Sequence, residues 1–84
     1  MPILARFYGT VIRMYFRQAE HNPPHVHAIF GNEVAVITIR TGDVLEGYLP
    51  PKVLEKVQKW VSINRTELLK IWETQEFRPV PPLT

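Results

Sequence analysis

Hydrophobic positions fall into two regimes along this 84-residue chain. Up to about residue 49 they largely alternate with polar ones, the period of a strand with one face buried; beyond it they recur every three to four residues, the period of an amphipathic helix. Ile3-Leu4-Ala5-Arg6-Phe7-Tyr8 is a short β-prone run, Gly9-Thr10 reads as a turn, and Val11-Ile12-Arg13-Met14-Tyr15-Phe16-Arg17 alternates strictly. These predict a hairpin. Val26 to Phe30, the pair Gly31-Asn32, and Glu33 to Arg40 predict a second. Thr41-Gly42-Asp43 marks another turn, and Val44 to Leu49 reads as a weaker fifth strand at an edge, where Gly47 costs less.

Pro50 and Pro51 stop the sheet and are compatible with a helix start. From Lys52 to Gln75 there is neither Gly nor Pro, and Val53, Leu54, Val57, Trp60, Val61, Leu68, Ile71 and Trp72 follow the 3.6-residue period. A continuous helix over that span would be roughly 36 Å long, longer than a small sheet needs. A bend is therefore expected at Ser62-Ile63-Asn64-Arg65, the weakest helix-forming stretch. The Pro-rich tail from Arg78 to Thr84 is expected to be extended, either loose or laid over the fold. The predicted fold class is α+β: an antiparallel meander of four to five strands, covered on one face by a long or bent C-terminal helix. The expected organisation is one domain over residues 1–78 with a tail over 79–84.

Side-chain parity sorts the strands into two faces. Ile12, Met14 and Phe16, with Val26, Ala28 and Phe30, suit the core. Arg13, Tyr15 and Arg17 then share the open side with His25, His27 and Ile29, provided no register slip intervenes. Trp60 and Trp72 are expected to pack in the core; an exposed tryptophan would instead be an anchor for a partner chain.

Composition narrows the class. Apolar residues make up 45% of the chain and charged residues 21%, too apolar for disorder, and with no cysteine there is neither a disulfide framework nor a thiolate zinc site. No secretory leader or membrane span is recognisable, so a cytoplasmic location is expected. The net charge of +2 lies wholly in residues 50–84, where six basic residues face four acidic ones. That excess is mild, so a polyanion would have to be bound by a local patch.

All three histidines lie within His21-Asn22-Pro23-Pro24-His25-Val26-His27. In an extended chain His25 and His27 point the same way, about 6 to 7 Å apart. On a metal reading, His21, His25 and His27 supply up to three imidazole ligands for a divalent transition metal such as zinc. Arginine on the same face opposes a cation there, unless carboxylates such as Glu20, Glu33 or Glu46 offset it. On an anion reading, Arg13 and Arg17 hold phosphate, Tyr15 stacks on a base, and His25 and His27 act as acid and base on RNA without a metal cofactor. Taken alone, Arg13, Tyr15 and Arg17 are also an ordinary way to dress a solvated sheet face.

The segments Arg13-Met14-Tyr15-Phe16, His21 to Ala28, Leu45 to Pro50, Trp60, and Glu67 to Glu73 together resemble a family of small bacterial proteins classified as a domain of unknown function. The resemblance covers roughly residues 3–76 and rests most on the Pro-Pro-His-x-His core, Pro23, Pro24, His25 and His27, with His21 upstream. It departs at Val26, where members often have an aromatic residue. Members are often encoded beside a second small protein in the manner of toxin and antitoxin pairs. The resemblance therefore implies a small protein partner and makes RNA an expected target, without assigning catalytic residues.

Overall fold

The computed structural model describes residues 3–15 and 23–83. It contains five strands, β1 (Ile3–Phe7), β2 (Thr10–Arg13), β3 (His25–Phe30), β4 (Glu33–Thr38) and β5 (Val44–Gly47), followed by helices α1 (Pro51–Ile63) and α2 (Arg65–Thr74). The strands form one antiparallel sheet in the order β1-β2-β3-β4-β5. The predicted meander is therefore the fold, with the helix bent into two pieces.

The first turn falls one residue earlier than Gly9-Thr10. Phe7 pairs with Thr10 around Tyr8 (φ 48°) and Gly9 (φ 75°), so both central residues have positive φ. Such a turn matches the twist of the flanking strands, and a β-branched threonine fits poorly in it. Thr10 instead opens β2, where it is buried. The second hairpin turns at Gly31 and Asn32, as expected, with positive φ at Gly31.

Strand β4 ends at Thr38, two residues before the expected limit. The chain is held there by Thr38 N–H donating to the Asp43 carbonyl at 2.9 Å and Gly42 N–H donating to the Thr38 carbonyl at 2.9 Å. Gln58 of α1 donates to the Gly42 carbonyl at 2.8 Å, tying the loop to the helix. Strand β5 pairs with β4 through a bulge, since Ile37 faces Val44 while Val36 faces Glu46, which leaves Leu45 as the extra residue. Gly47 is required here rather than merely tolerated. Its φ is +85°, and a Cβ on it would lie 2.0 Å from the Val34 carbonyl oxygen.

The helix bends at Asn64, within the expected stretch. The Asn64 backbone N–H and side-chain amide both donate to the Trp60 carbonyl, each at 3.0 Å. Side-chain competition of this kind is why asparagine is a poor interior helix residue. Val57, Trp60 and Val61 of α1 and Leu68, Ile71 and Trp72 of α2 are buried in one core with Ile12, Met14, Val26, Ala28, Ala35 and Ile37. Both tryptophans are thus core residues, and Trp60 packs 5.6 Å from the Phe7 ring.

The tail lies over the fold. Val80 is buried and its N–H donates to the Leu4 carbonyl at 2.8 Å, along the free side of β1. Trp60 Nε1–H donates to the Pro81 carbonyl at 2.8 Å, and Arg78 pairs with Glu67 of α2. Among the described residues, no helix is long and apolar enough to cross a membrane.

Candidate functional site

The Pro-Pro step fixes where β3 begins. Proline cannot donate to a ladder, but its carbonyl can accept, and Ile39 N–H donates to the Pro24 carbonyl at 2.9 Å. This bond carries the β3–β4 alignment one step beyond His25↔Thr38 and sets the register in which Val26 and Ala28 are buried. His25 and His27 consequently alternate with them on the other side of the strand, where both are partly buried.

The pairing register brings four predicted residues together. Arg13 of β2 lies directly across from His27. The Tyr15 ring is 4.1 Å from the His27 ring, and the two imidazoles are 5.3 Å apart, edge to face. On the far side, Trp72 of α2 lies 5.0 Å from the His25 ring. Tyr15, His27, His25 and Trp72 therefore form a continuous line of rings. The remaining predicted residues, Arg17 and His21, lie outside the described residues, as do Phe16 and Glu20.

Each histidine has a distinct environment. His25 Nδ1 is 2.9 Å from the Pro23 carbonyl oxygen, which can only accept, so Nδ1 carries the proton and Nε2 of the neutral ring holds the lone pair. His27 is partly buried, and its pKa is lowered from 6.5, first by desolvation and then by the neighbouring His25, with Glu46 opposing. His27 is consequently mostly neutral at pH 7. His27 Nδ1 and Arg13 Nε are both buried and without a hydrogen-bond partner among the described residues. Groups in that state lose solvation without recovering it, a cost that folding alone does not require.

A groove of about 500 Å³ opens beside the histidines and is lined by Pro23, His25, His27, Val36, Leu45 and Glu46. Arg13 and Tyr15 flank His27 on the β2 side, whereas this groove opens toward β4 and β5. Glu46 reaches the groove because Val36, its partner across the bulged pair, is itself the cross-strand neighbour of His27. In the sequence Glu46 stands out only as a charge offset, and the contact of Trp72 with His25 is not visible there. The alternation in β5 is too weak to reveal the first, and no sequence signal links α2 to β3. Among the described residues, no group of three or more His, Cys, Asp or Glu side chains is placed to hold a metal ion. The metal triad of the sequence reading needs His21, which is outside them.

These features define a small α+β domain whose open sheet face carries a Pro-Pro-His-x-His motif beside an arginine and a tyrosine. The chain belongs to the family described as Domain of unknown function (DUF4160), whose model matches residues 9–73. No curated protein and no solved structure matches it.

Proposed function

We propose that this domain acts on RNA through the Arg13–Tyr15–His25–His27 face, as one member of a toxin–antitoxin-type pair in the cytoplasm with a second small protein as partner. The observation that carries the reading is the pair of imidazoles 5.3 Å apart in unequal environments, with an arginine directly across the strand from one of them. Unequal environments are what separates an acid from a base.

In this mechanism His27, neutral at pH 7, takes the proton from a ribose 2′-hydroxyl through Nε2, since its Nδ1 is buried. The 2′-oxygen attacks the adjacent phosphorus, and protonated His25 delivers its Nε2 proton to the departing 5′-oxygen. The products are a 2′,3′-cyclic phosphate and a free 5′-hydroxyl. The Pro23 carbonyl keeps the His25 ring oriented throughout. Arg13 offers its outer nitrogens to the phosphate as charge builds on it, and Tyr15 offers a ring face to a base. The carboxylate of Glu46 disfavours a phosphate deep in the groove, which puts the scissile group on the β2 side, near Arg13.

The test is induced expression in bacteria of the parent, His25→Ala, His27→Ala and Arg13→Met at equal levels, followed by analysis of cellular RNA ends. Growth arrest with new cyclic-phosphate ends in the parent alone supports the proposal; normal growth and intact RNA in all four refutes it. A second reading, a metal held by His21, His25 and His27, draws support from the lone pair on His25 Nε2, the disposition common in metal-bound histidine. Stoichiometric zinc in purified parent, lost in His27→Ala, would replace the metal-free relay.

A further inference from the structure

The excess positive charge of the C-terminal half is not used by the histidine face. Lys52, Lys56 and Lys59 recur at four- and three-residue intervals on α1 and share a groove of about 310 Å³ with Tyr8, Glu55 and Leu83. One wall is α1, another is the β1–β2 turn, and the third is the tail, seated by its bonds to Leu4 and Trp60. Tyr8 is 54% exposed although it has the positive φ that bulky residues avoid. Lys56 Nζ sits 4.4 Å from the Tyr8 ring centroid and holds the ring against the helix. The turn that imposes this φ leaves the ring exposed beside α1, within reach of a ligand.

We infer that this groove is a second contact site for single-stranded RNA, with one base against Tyr8 and Leu83 and backbone phosphates against Lys52 and Lys59. The inference rests on the RNA reading of the histidine face. Lys52 and Lys59 are about 10 Å apart along the helix axis, so they reach separate points on a strand. Glu55 lies among them and leaves an excess of two positive charges, enough for phosphate contact without condensing any polyanion indiscriminately. The ring and the apolar Leu83 distinguish a nucleic acid from an acidic peptide, which would use the ammonium groups alone.

The experiment is fluorescence anisotropy of a labelled ten-nucleotide single-stranded RNA against full-length parent, the double variant Lys52→Gln/Lys59→Gln, Tyr8→Leu, and Arg13→Met, across a salt series. The double variant is expected to bind about tenfold more weakly, with its salt slope reduced by about 1.4 for two lost phosphate contacts. Tyr8→Leu is expected to weaken binding several-fold with the slope unchanged. Thermal melts confirm that each variant is folded. If Arg13→Met weakens binding while the lysine and tyrosine variants match the parent, the groove is overturned and the RNA reading stands. If the lysine and tyrosine variants lose binding while Arg13→Met matches the parent, the groove stands and the histidine face is not the RNA contact. Failure of the parent to bind RNA, including the case in which it binds a labelled oligoglutamate instead, overturns both.

Discussion

Replacing Gly47 with alanine tests how the β4–β5 edge holds Glu46 beside His27. The new Cβ would stand 2.0 Å from the Val34 oxygen and 3.0 Å from the Val34 carbonyl carbon and Ala35 Cα, all of them backbone atoms that cannot rotate away. Three costs follow. Holding alanine at φ +85° costs about 1–2 kcal/mol. Relieving the overlap by moving strand backbone costs about 1–3 kcal/mol. The Tyr48 N–H bond to the same Val34 oxygen, 3.1 Å long, is lost in the movement, for about 1 kcal/mol. The sum, about 3–6 kcal/mol, is a large part of the roughly 4–13 kcal/mol expected for a domain this size. Gly31→Ala is the internal control. It has a similar positive φ but nothing within 4 Å of the added methyl, so about 1–2 kcal/mol is expected. In urea titrations the Gly47→Ala midpoint should fall roughly 2 M below that of Gly31→Ala. NMR titration of the His27 imidazole reads the second consequence. Displacing Glu46 removes an influence that raises the His27 pKa, so it should fall further. Equal urea midpoints for the two variants would refute the reasoning.

Other outcomes follow from the same contacts. Because the folded-state pKa of His27 is lowered, the unfolded chain binds more protons just below pH 6.5; stability should be fully present above pH 6.5 and decline as pH falls toward the folded value, and His27→Gln should flatten this part of the profile. A His27 resonance titrating at or above 6.5 would contradict it. Ending the chain after Arg78 removes the buried Val80 and two hydrogen bonds, a loss of about 3–5 kcal/mol and a melting point lower by at least about 12 °C; an unchanged melt would mean that the tail is not part of the core. Arg13→Met removes a buried nitrogen that has no partner among the described residues, so stability should stay within about 0.5 kcal/mol of the parent while growth arrest is lost. Destabilisation beyond about 2 kcal/mol would make Arg13 a structural residue.

Much of the architecture was legible in the chain because it rests on local chemistry. The period-two alternation around Ile12 and Met14, the Gly31-Asn32 turn, the Pro50-Pro51 stop and the weak helix at Asn64 each act over a few residues. Parity alone put Arg13, Tyr15, His25 and His27 on one face, since every strand side chain must take one side or the other. Gly47 looked like an edge residue carrying little cost, yet it is held by the close approach of Val34, thirteen positions away. The first turn moved because a positive-φ pair suits Tyr8-Gly9 better than Gly9-Thr10.

What tertiary structure alone decided are the contacts across elements: Trp72 against His25, Glu46 at the histidine groove through the β4–β5 bulge, and the tail carbonyl that accepts from Trp60. The sequence by itself determined which residues could meet, through strand parity and helix period. Which of them do meet was decided by sheet register and by the seating of the helices and tail on the core. Those depend on distant atoms competing for the same space, and no local pattern encodes that competition.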